Sequence, residues 1–366
     1  MDTSLHSICI IYKKVLTLCS FALQSEYRFI PAGYSFGLFE TESMTDTRVS
    51  EFQQGLTSVI EELHKVIVGH TTPVEVLCAA FFSQGHVLIE GVPGLGKTLL
   101  SSSFAHATGL DYKKIQFTPD LMPADITGTN IIAEKDGKRG LEFREGPLFA
   151  NIVLADEINR ATPKTQSALL EGMQEKCVTS GRTTIPLPRP FMVIGTQNPV
   201  EMKGTYPLPE AQKDRFMFKV NMYSSNAEEL SEILRRTVGK DTAEAAQVAD
   251  EEMIGNMMKT VREVAVSEHI RNLASRILLH TDPLFEESSP AVKKYVRLGS
   301  SVRGGQALIA GAKVDALLNG QVHASTEGIR KYIEPALRHR LILNFEAGAD
   351  EVTPDDILKE VAESAV

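Results

Sequence analysis

The sequence predicts an α/β fold, in which a three-layer sandwich around a parallel sheet is followed by an all-helical domain. Five short apolar runs between His86 and Asn221 alternate with helical or irregular stretches, which is typical of buried parallel strands. A glycine-rich loop joins the first of these runs to a stretch with helical composition. Beyond Tyr223 the pattern becomes helical throughout, which predicts a second, all-helical domain.

Composition narrows the classes of function. The chain has 366 residues, of which 43% are hydrophobic, so it can fill the cores of two or three domains. Its net charge is −9 and it has no basic tract, which argues against nucleic acid as the main partner. The cysteines lack C-x-x-C spacing, so neither a disulfide framework nor a zinc site is indicated, and we expect a cytoplasmic protein. They are Cys9, Cys19, Cys78 and Cys177.

Residues 1–43 form a doubtful leader. The stretch "SICIIYKKVLTLCSFALQ" faintly resembles a signal peptide, but its apolar run from Val15 to Leu23 is too short to span a bilayer. A conventional polar start, "MTDTRVSEFQQGL", follows at Met44. We expect translation to begin there, the leader to be disordered or an incorrectly assigned start, and no membrane insertion. The alternative is a real export or tethering signal.

The first structured element is predicted to be an amphipathic helix from Asp46 to Val66, which runs into "VIVGH". The next is a buried strand from His86 to Glu90, and a helix follows from Thr98 until Gly109.

The loop between this strand and this helix matches G-x-x-x-x-G-K-[ST], the phosphate-binding pattern, in its required strand-to-helix setting. Its glycines let backbone N–H groups surround an anion at the helix N-terminus. Lys97 would reach the outer phosphates and the Thr98 hydroxyl would ligate Mg²⁺. The alternative is a tight turn with a surface lysine. The predicted nucleotide-binding residues of the loop are Gly91, Val92, Pro93, Gly94, Leu95, Gly96, Lys97, Thr98 and Leu99.

Two hairpins interrupt the alternation of strands and helices. Turn signals at "EKDGKRG" and "TSGRT" predict them between Gly128 and Arg144 and between Cys177 and Leu187. The remaining strands are predicted at Lys114–Phe117, Asn151–Ala155, Phe191–Gly195 and Phe216–Asn221.

Two adjacent carboxylates stand at the end of the third predicted strand, in "IVLADEINRA". This is the edge at which open α/β sheets bind ligands. Asp156 would hold Mg²⁺ through its water shell, and Glu157 would orient or deprotonate an attacking water. Alone, such a pair usually marks a solvated strand end.

Four longer motifs carry a family resemblance. They are "GVPGLGKT", "LADEINRATPKTQSALLEGMQE", "VIGTQNPVEMKGTYPLPEAQKDRF" and "LRHRLILNFEA". With them the chain resembles a MoxR-type AAA+ ATPase from about Val49 to its end. The resemblance implies a P-loop NTPase core over residues 44–223, a helical lid over residues 224–366, and ATP and Mg²⁺ as cofactors. It also implies the AAA+ clade with a hairpin inserted in the second core helix, which the first predicted hairpin would supply.

The resemblance implies further site residues. Asn198 would be the sensor of the γ-phosphate, and Arg215 would be an arginine finger that reaches the neighbouring subunit. Arg303 would be the lid sensor that touches the nucleotide of its own subunit, although a valine precedes it where relatives usually carry proline. Val68 and Gly69 would border the adenine. The alternatives are an Asn-Pro turn at Asn198, a surface ion pair at Arg215 and a helix-ending turn at residues 67–69.

The resemblance also implies a hexameric ring, a von Willebrand factor A domain partner and a client protein whose maturation or metal insertion the ring assists. A nucleic-acid motor or transcription activator on the same core is the alternative function, which the acidic balance and the lack of a DNA-binding appendage disfavour. A threading protease partner is disfavoured because "FTPDLMPAD" lacks the aromatic-hydrophobic-glycine pore signature. A small-molecule kinase would not need Asn198, Arg215 and a lid together, and Glu157 argues against a scaffold without turnover.

Overall fold

The computed structural model describes residues 46–135, 138–181, 183–199, 204–238 and 243–365. The predicted leader over residues 1–43 lies outside the described residues. In chain order the strands are β1 (Val87–Glu90), β2 (Tyr112–Gln116), β3 (Gly128–Lys135), β4 (Lys138–Glu145), β5 (Ile152–Asp156), β6 (Cys177–Ser180), β7 (Thr183–Pro186), β8 (Met192–Gln197), β9 (Phe218–Asn221), β10 (Val296–Leu298) and β11 (Ile342–Leu343).

The helices of the first part of the chain are α1 (Asp46–Val66), α2 (Thr71–Phe82), α3 (Lys97–Thr108), α4 (Pro123–Thr127), α5 (Pro163–Glu175) and α6 (Glu210–Lys213), with a 3₁₀ turn at Ile158–Arg160. Those after the central sheet are α7 (Ala227–Val238), α8 (Glu251–Glu263), α9 (Glu268–His280), α10 (Pro290–Tyr295), α11 (Val302–Leu318), α12 (Thr326–Lys331), α13 (Ile333–Leu337), α14 (Phe345–Ala349) and α15 (Pro354–Ala365).

The central sheet is parallel, with strand order β2-β5-β8-β1-β9. This confirms the predicted sheet, and each of the five predicted apolar runs overlaps a strand. Alternate side chains of β1 point to opposite faces, so Val87 and Ile89 join one core while Leu88 joins the other. Burial on both faces explains why these strands read as continuous apolar runs.

The larger core joins the sheet to helices from both parts of the chain. Phe52, Phe81, Phe82 and Phe104 form a chain of edge-to-face contacts with ring centroids 5.0–5.6 Å apart. Each such pair contributes about 0.5–1.5 kcal/mol beyond the area it buries. The long helix α11 packs against both α1 and α2, so the helical region rests directly on this core.

Two hairpins leave the sandwich, as the sequence predicts. Strands β3 and β4 pair antiparallel from Gly128 opposite Glu145, and β6 pairs with β7 from Cys177 opposite Pro186. The hairpins meet where the side-chain amide of Asn130 donates to the hydroxyl of Ser180, at 3.0 Å.

The C-terminal region is helical as predicted, but it is not entirely so. Strands β10 and β11 pair antiparallel, with Val296 opposite Leu343 and Leu298 opposite Ile342. Runs of three and two residues are too short to produce a detectable alternation in the sequence, so the prediction missed them. Within the described ranges, no helix is long and apolar enough to cross a membrane.

Burial holds the pKa of His86 and of His339 below the ordinary histidine value. His86 accepts a hydrogen bond from the backbone N–H of Val193 at Nδ1 (2.9 Å), and its Nε2 lies 3.2 Å from the carbonyl oxygen of Met173. Burial lowers the pKa of His86 to about 4. His339 lies 3.0 Å from the carbonyl oxygen of Phe216, and burial with the nearby charge of Arg340 holds its pKa well below the usual range.

We therefore expect the free energy of unfolding to decrease as the pH falls from about 6.5 towards 4, because the unfolded chain binds protons that the folded chain excludes. From about pH 7.5 to 5.5 the loss from His86 alone is about 1.4 kcal/mol. Chemical denaturation across this range measures the slope. A His86→Gln variant should flatten the slope. An unchanged slope in His86→Gln would contradict the account.

Candidate nucleotide site

The predicted phosphate loop leaves the carboxyl end of β1 and enters α3. The Gly91 N–H donates to the carbonyl oxygen of Gln197 at 3.2 Å, which ties the loop to the end of β8. A Cβ at Gly91 would come within 2.9 Å of the carbonyl oxygen of Met222, so only glycine fits. Gly94 and Gly96 have φ values of +89° and +82°, a region that side chains disfavour.

Lys97 is the first residue of α3 and is buried. Its ammonium curls over the loop and donates to the carbonyl oxygens of Gly91 at 2.6 Å and Gln197 at 3.4 Å. The N-terminus of α3 has no side-chain cap, so its first N–H groups are not taken by a side chain of its own N-cap residue. This arrangement suits an anion above the loop.

Thr98 and Asp156, the two predicted Mg²⁺ ligands, share one cationic partner. Lys114 of β2 forms an ion pair with Asp156 Oδ2 at 2.8 Å and donates to the Thr98 hydroxyl at 3.5 Å. The other carboxylate oxygen, Oδ1, accepts the hydroxyl of Thr196 at 2.7 Å. Mg²⁺ prefers oxygen ligands. The Thr98 hydroxyl and the Asp156 carboxylate are of this kind, and both already face one cation, the Lys114 ammonium.

Glu157 has φ of +56°, which turns its side chain away from the line of β5. Its carboxylate oxygen Oε2 accepts from the side-chain amide of Gln116 at 2.9 Å and from the guanidinium of Arg160 at 2.8 Å. Its backbone N–H donates to the Thr196 hydroxyl at 2.8 Å. The predicted base is therefore held by donors that it would have to exchange for a water.

Thr196, Gln116 and Lys114 were not predicted to be site residues. The Thr196 hydroxyl bridges the Asp156 carboxylate and the Glu157 N–H, so one buried group fixes both acidic residues. A polar residue inside the apolar run "VIGTQN" is the signal that could have identified it.

Asn198 follows β8 directly and is buried at the same edge of the sheet as the phosphate loop. It lines a cavity of about 360 Å³ together with Glu90, Asn159 and Lys213. In the described part of the chain, Asn159 Oδ1 is buried without a hydrogen-bond partner. A γ-phosphate or a water in this cavity could form hydrogen bonds with Asn159 and Asn198.

Gly69, which with Val68 is predicted to border the adenine, also lies near this edge. Gly69 has φ of +67° and packs against the side chain of Glu229. Gly69 and Tyr223 line a cavity of about 580 Å³. Met222, the residue before Tyr223, lies against Gly91 of the phosphate loop.

Arg215 and Arg303 lie near the opposite, amino edge of the sheet. Asp214 accepts from Arg303 at 3.3 Å and from the Nε of Arg340 at 2.8 Å. Arg340 also donates to the carbonyl oxygen of Met217, at 3.0 Å. The Met217 N–H in turn donates to the carbonyl oxygen of His86, the residue before β1. The four residues of β1 span about 13 Å between this edge and the phosphate loop.

Arg303 contacts Asp214, which anchors the N-terminal end of α11 through Arg303 and through the Ser301 hydroxyl, at 2.8 Å. The role of Arg303 as a sensor of the nucleotide stays a prediction. Arg215 follows Asp214 and is partly exposed. Among the described residues, its guanidinium makes no hydrogen bond or ion pair, so it is not the surface ion pair that the alternative required.

Comparison with known proteins identifies both parts of the chain. Residues 86–218 match the profile of the ATPase family associated with various cellular activities (AAA), and residues 289–361 match the AAA lid domain. The chain is 40% identical over 313 residues to Chaperone MoxR1 of Mycobacterium tuberculosis, covering 84% of this chain and 81% of that protein. It is 27% identical over 328 residues to MoxR of Methylorubrum extorquens, with 85% and 94% covered.

A solved structure shares the fold. The crystal structure of a protein from Cytophaga hutchinsonii that is assigned as an ATPase superposes with a TM-score of 0.81 at 37% identity. The match covers 87% of this chain and 96% of that one, so the likeness extends through the core and the helical region.

The bridging role of Thr196 can be tested directly. Thr196→Val keeps the shape but leaves the Asp156 carboxylate and the Glu157 N–H without their buried partner, so we expect a loss of about 1–3 kcal/mol in the free energy of unfolding. Thr196→Ser keeps the hydroxyl and should lose less. Denaturant unfolding of both variants measures this, and equal stability of the valine variant and the native protein would refute the bridge.

Proposed function

The chain belongs to the MoxR family of AAA+ ATPases, and from this premise we propose that it is a Mg²⁺-dependent ring ATPase that remodels a client protein complex. One observation carries the proposal: the phosphate loop, Asp156, Glu157 and Asn198 converge at the carboxyl edge of one parallel sheet. Backbone donors for an anion and carboxylates for a metal and a water thus meet in one place.

Nucleotide binding rests on the loop and Lys97. The Lys97 ammonium would exchange its carbonyl partners for oxygens of the outer phosphates, which carry more charge. The Thr98 hydroxyl and the Asp156 carboxylate would hold Mg²⁺, which neutralises charge on the β- and γ-phosphate oxygens when bound.

Glu157 is the proposed general base. Its carboxylate would leave Gln116 and Arg160 and accept a proton from the attacking water, while Thr196 keeps the backbone of Glu157 in place. Asn198 would donate to the γ-phosphate or orient the same water.

Arg215 and Arg303 would act on the nucleotide of a neighbouring subunit. Both lie by Asp214, which Arg340 links to the residues that precede β9 at the amino edge, so we propose that they reach the γ-phosphate of another copy. Such head-to-tail contacts close into a ring, and we propose a hexamer. Their guanidinium groups would stabilise the negative charge that develops on the γ-phosphate during hydrolysis, as an arginine finger does.

The client is proposed to be a protein. The relative named Chaperone MoxR1 covers most of this chain, which supports a chaperone-like role. We further propose that the ring assists maturation or metal insertion in a client complex, that a von Willebrand factor A domain protein assists it, and that it works in the cytoplasm, where ATP is available.

Glu157→Gln tests the proposed chemistry. The amide keeps the shape but cannot accept the proton, so ATP should still bind while hydrolysis slows by a factor on the order of 10² or more. Equilibrium binding and phosphate release are the two measurements. Glu61→Gln, at an exposed position of α1, is the matched control and should retain full turnover. Loss of ATP binding in Glu157→Gln would show that Glu157 is not the base.

Mixed variants test the ring. Arg215→Ala should bind ATP but lose roughly 10³-fold in turnover, and Lys97→Ala should lose nucleotide binding. Mixing the two should restore some turnover, because a Lys97→Ala subunit can donate Arg215 to the intact site of its neighbour. Phosphate release is compared between the mixture and each variant alone, under conditions where subunits exchange. No gain on mixing would exclude action of Arg215 between subunits.

A further inference from the structure

One face of the edge strand β2 supplies a partner to each catalytic carboxylate. Lys114 and Gln116 share this face because strand side chains alternate, and they contact Asp156 and Glu157 respectively. Lys113 and Ile115 point to the other face. The two contacts differ in kind, since Gln116 brings a neutral amide whereas Lys114 brings a full positive charge.

The Lys114 ammonium lies between the two oxygens that the site offers to a metal. It is 2.8 Å from Asp156 Oδ2 and 3.5 Å from Thr98 Oγ1. Mg²⁺ requires closely packed oxygen ligands, directly or through water, and a second cation at the same oxygens would be repelled. The ammonium and Mg²⁺ therefore exclude each other at this position.

Lys114 can leave this position. Its side chain is 38% exposed on a strand at the edge of the sheet, so an extended conformation is hydrated at little cost. The pair is open to water on the Lys114 side, whereas the Asp156 carboxylate is only 14% exposed and needs another cation when the ammonium leaves.

We propose that Lys114 is an intramolecular competitor of Mg²⁺, which neutralises Asp156 until the metal arrives with the nucleotide and displaces it. The inference rests on the proposed function. Free Mg²⁺ would have to displace the ammonium into water with no further contact to offset the lost ion pair. A Mg²⁺–nucleotide complex also binds the phosphate loop, and this binding offsets the displacement, so the site discriminates against the metal alone.

Direct metal binding tests the competition without any turnover. Mn²⁺, a spectroscopic substitute for Mg²⁺, is titrated in the absence of nucleotide and followed by electron paramagnetic resonance. We expect Lys114→Met to bind Mn²⁺ roughly 3- to 5-fold more tightly than the native protein, which is the range of an exposed ion pair. Lys114→Arg keeps the charge and should bind like the native protein. Lys113→Met, on the opposite face of β2, is the matched control and should also be unchanged.

A second measurement uses the Glu157→Gln background, in which bound ATP persists. The Mg²⁺ concentration that gives half-maximal ATP binding should fall by a similar factor on Lys114→Met. Thermal unfolding shows that the variant is folded, and Lys114→Gln replaces it if it is not.

The proposal is overturned if Lys114→Met leaves the Mn²⁺ affinity unchanged, or if it weakens ATP binding at saturating Mg²⁺, which would make Lys114 a phosphate ligand instead. Failure of the folded Glu157→Gln protein to bind ATP at all would contradict the proposed function. The Mn²⁺ titration would still decide the role of Lys114.

Discussion

Five parallel strands bring all their carboxyl ends to one edge of the sheet, and the candidate chemistry depends on this constraint. The phosphate loop follows β1, the two acidic residues end β5, and Asn198 follows β8. A single buried hydroxyl, that of Thr196, then fixes Asp156 and the backbone of Glu157 together. The groups that would hold phosphate, metal and water are thus placed by strand order rather than by flexible loops alone.

The amino edge carries the arginines that we propose act on the nucleotide of a neighbouring subunit. Arg340 is buried and donates to Asp214 and to the carbonyl oxygens of Phe216 and Met217, so the helical region is tied to the segment that carries Arg215. Breaking a buried pair of this kind leaves an uncompensated charge, which typically costs about 3–5 kcal/mol. The helical region and the segment that carries Arg215 are therefore joined by a buried, charged contact.

Much of this arrangement is predictable from local sequence. The strands of the sheet are apolar because both their faces are buried, and the glycines of the phosphate loop stand where the backbone needs positive φ or a close approach. The position of Arg303 was not predictable, because its contact with Asp214 joins residues 89 positions apart and no local pattern records which face a helix docks against. The partners Lys114 and Gln116 were missed for a related reason, since only strand register brings them opposite β5.

The central claim is that a nucleotide held at the carboxyl edge of one subunit meets the arginines at the amino edge of the next. The most direct measurement is an electron cryomicroscopy structure of the Glu157→Gln protein with Mg²⁺ and ATP. The account predicts the guanidinium groups of Arg215 and Arg303 within hydrogen-bonding distance of a phosphate bound by the adjacent subunit. A structure in which Arg303 contacts the nucleotide of its own subunit, or in which Arg215 contacts none, would contradict it.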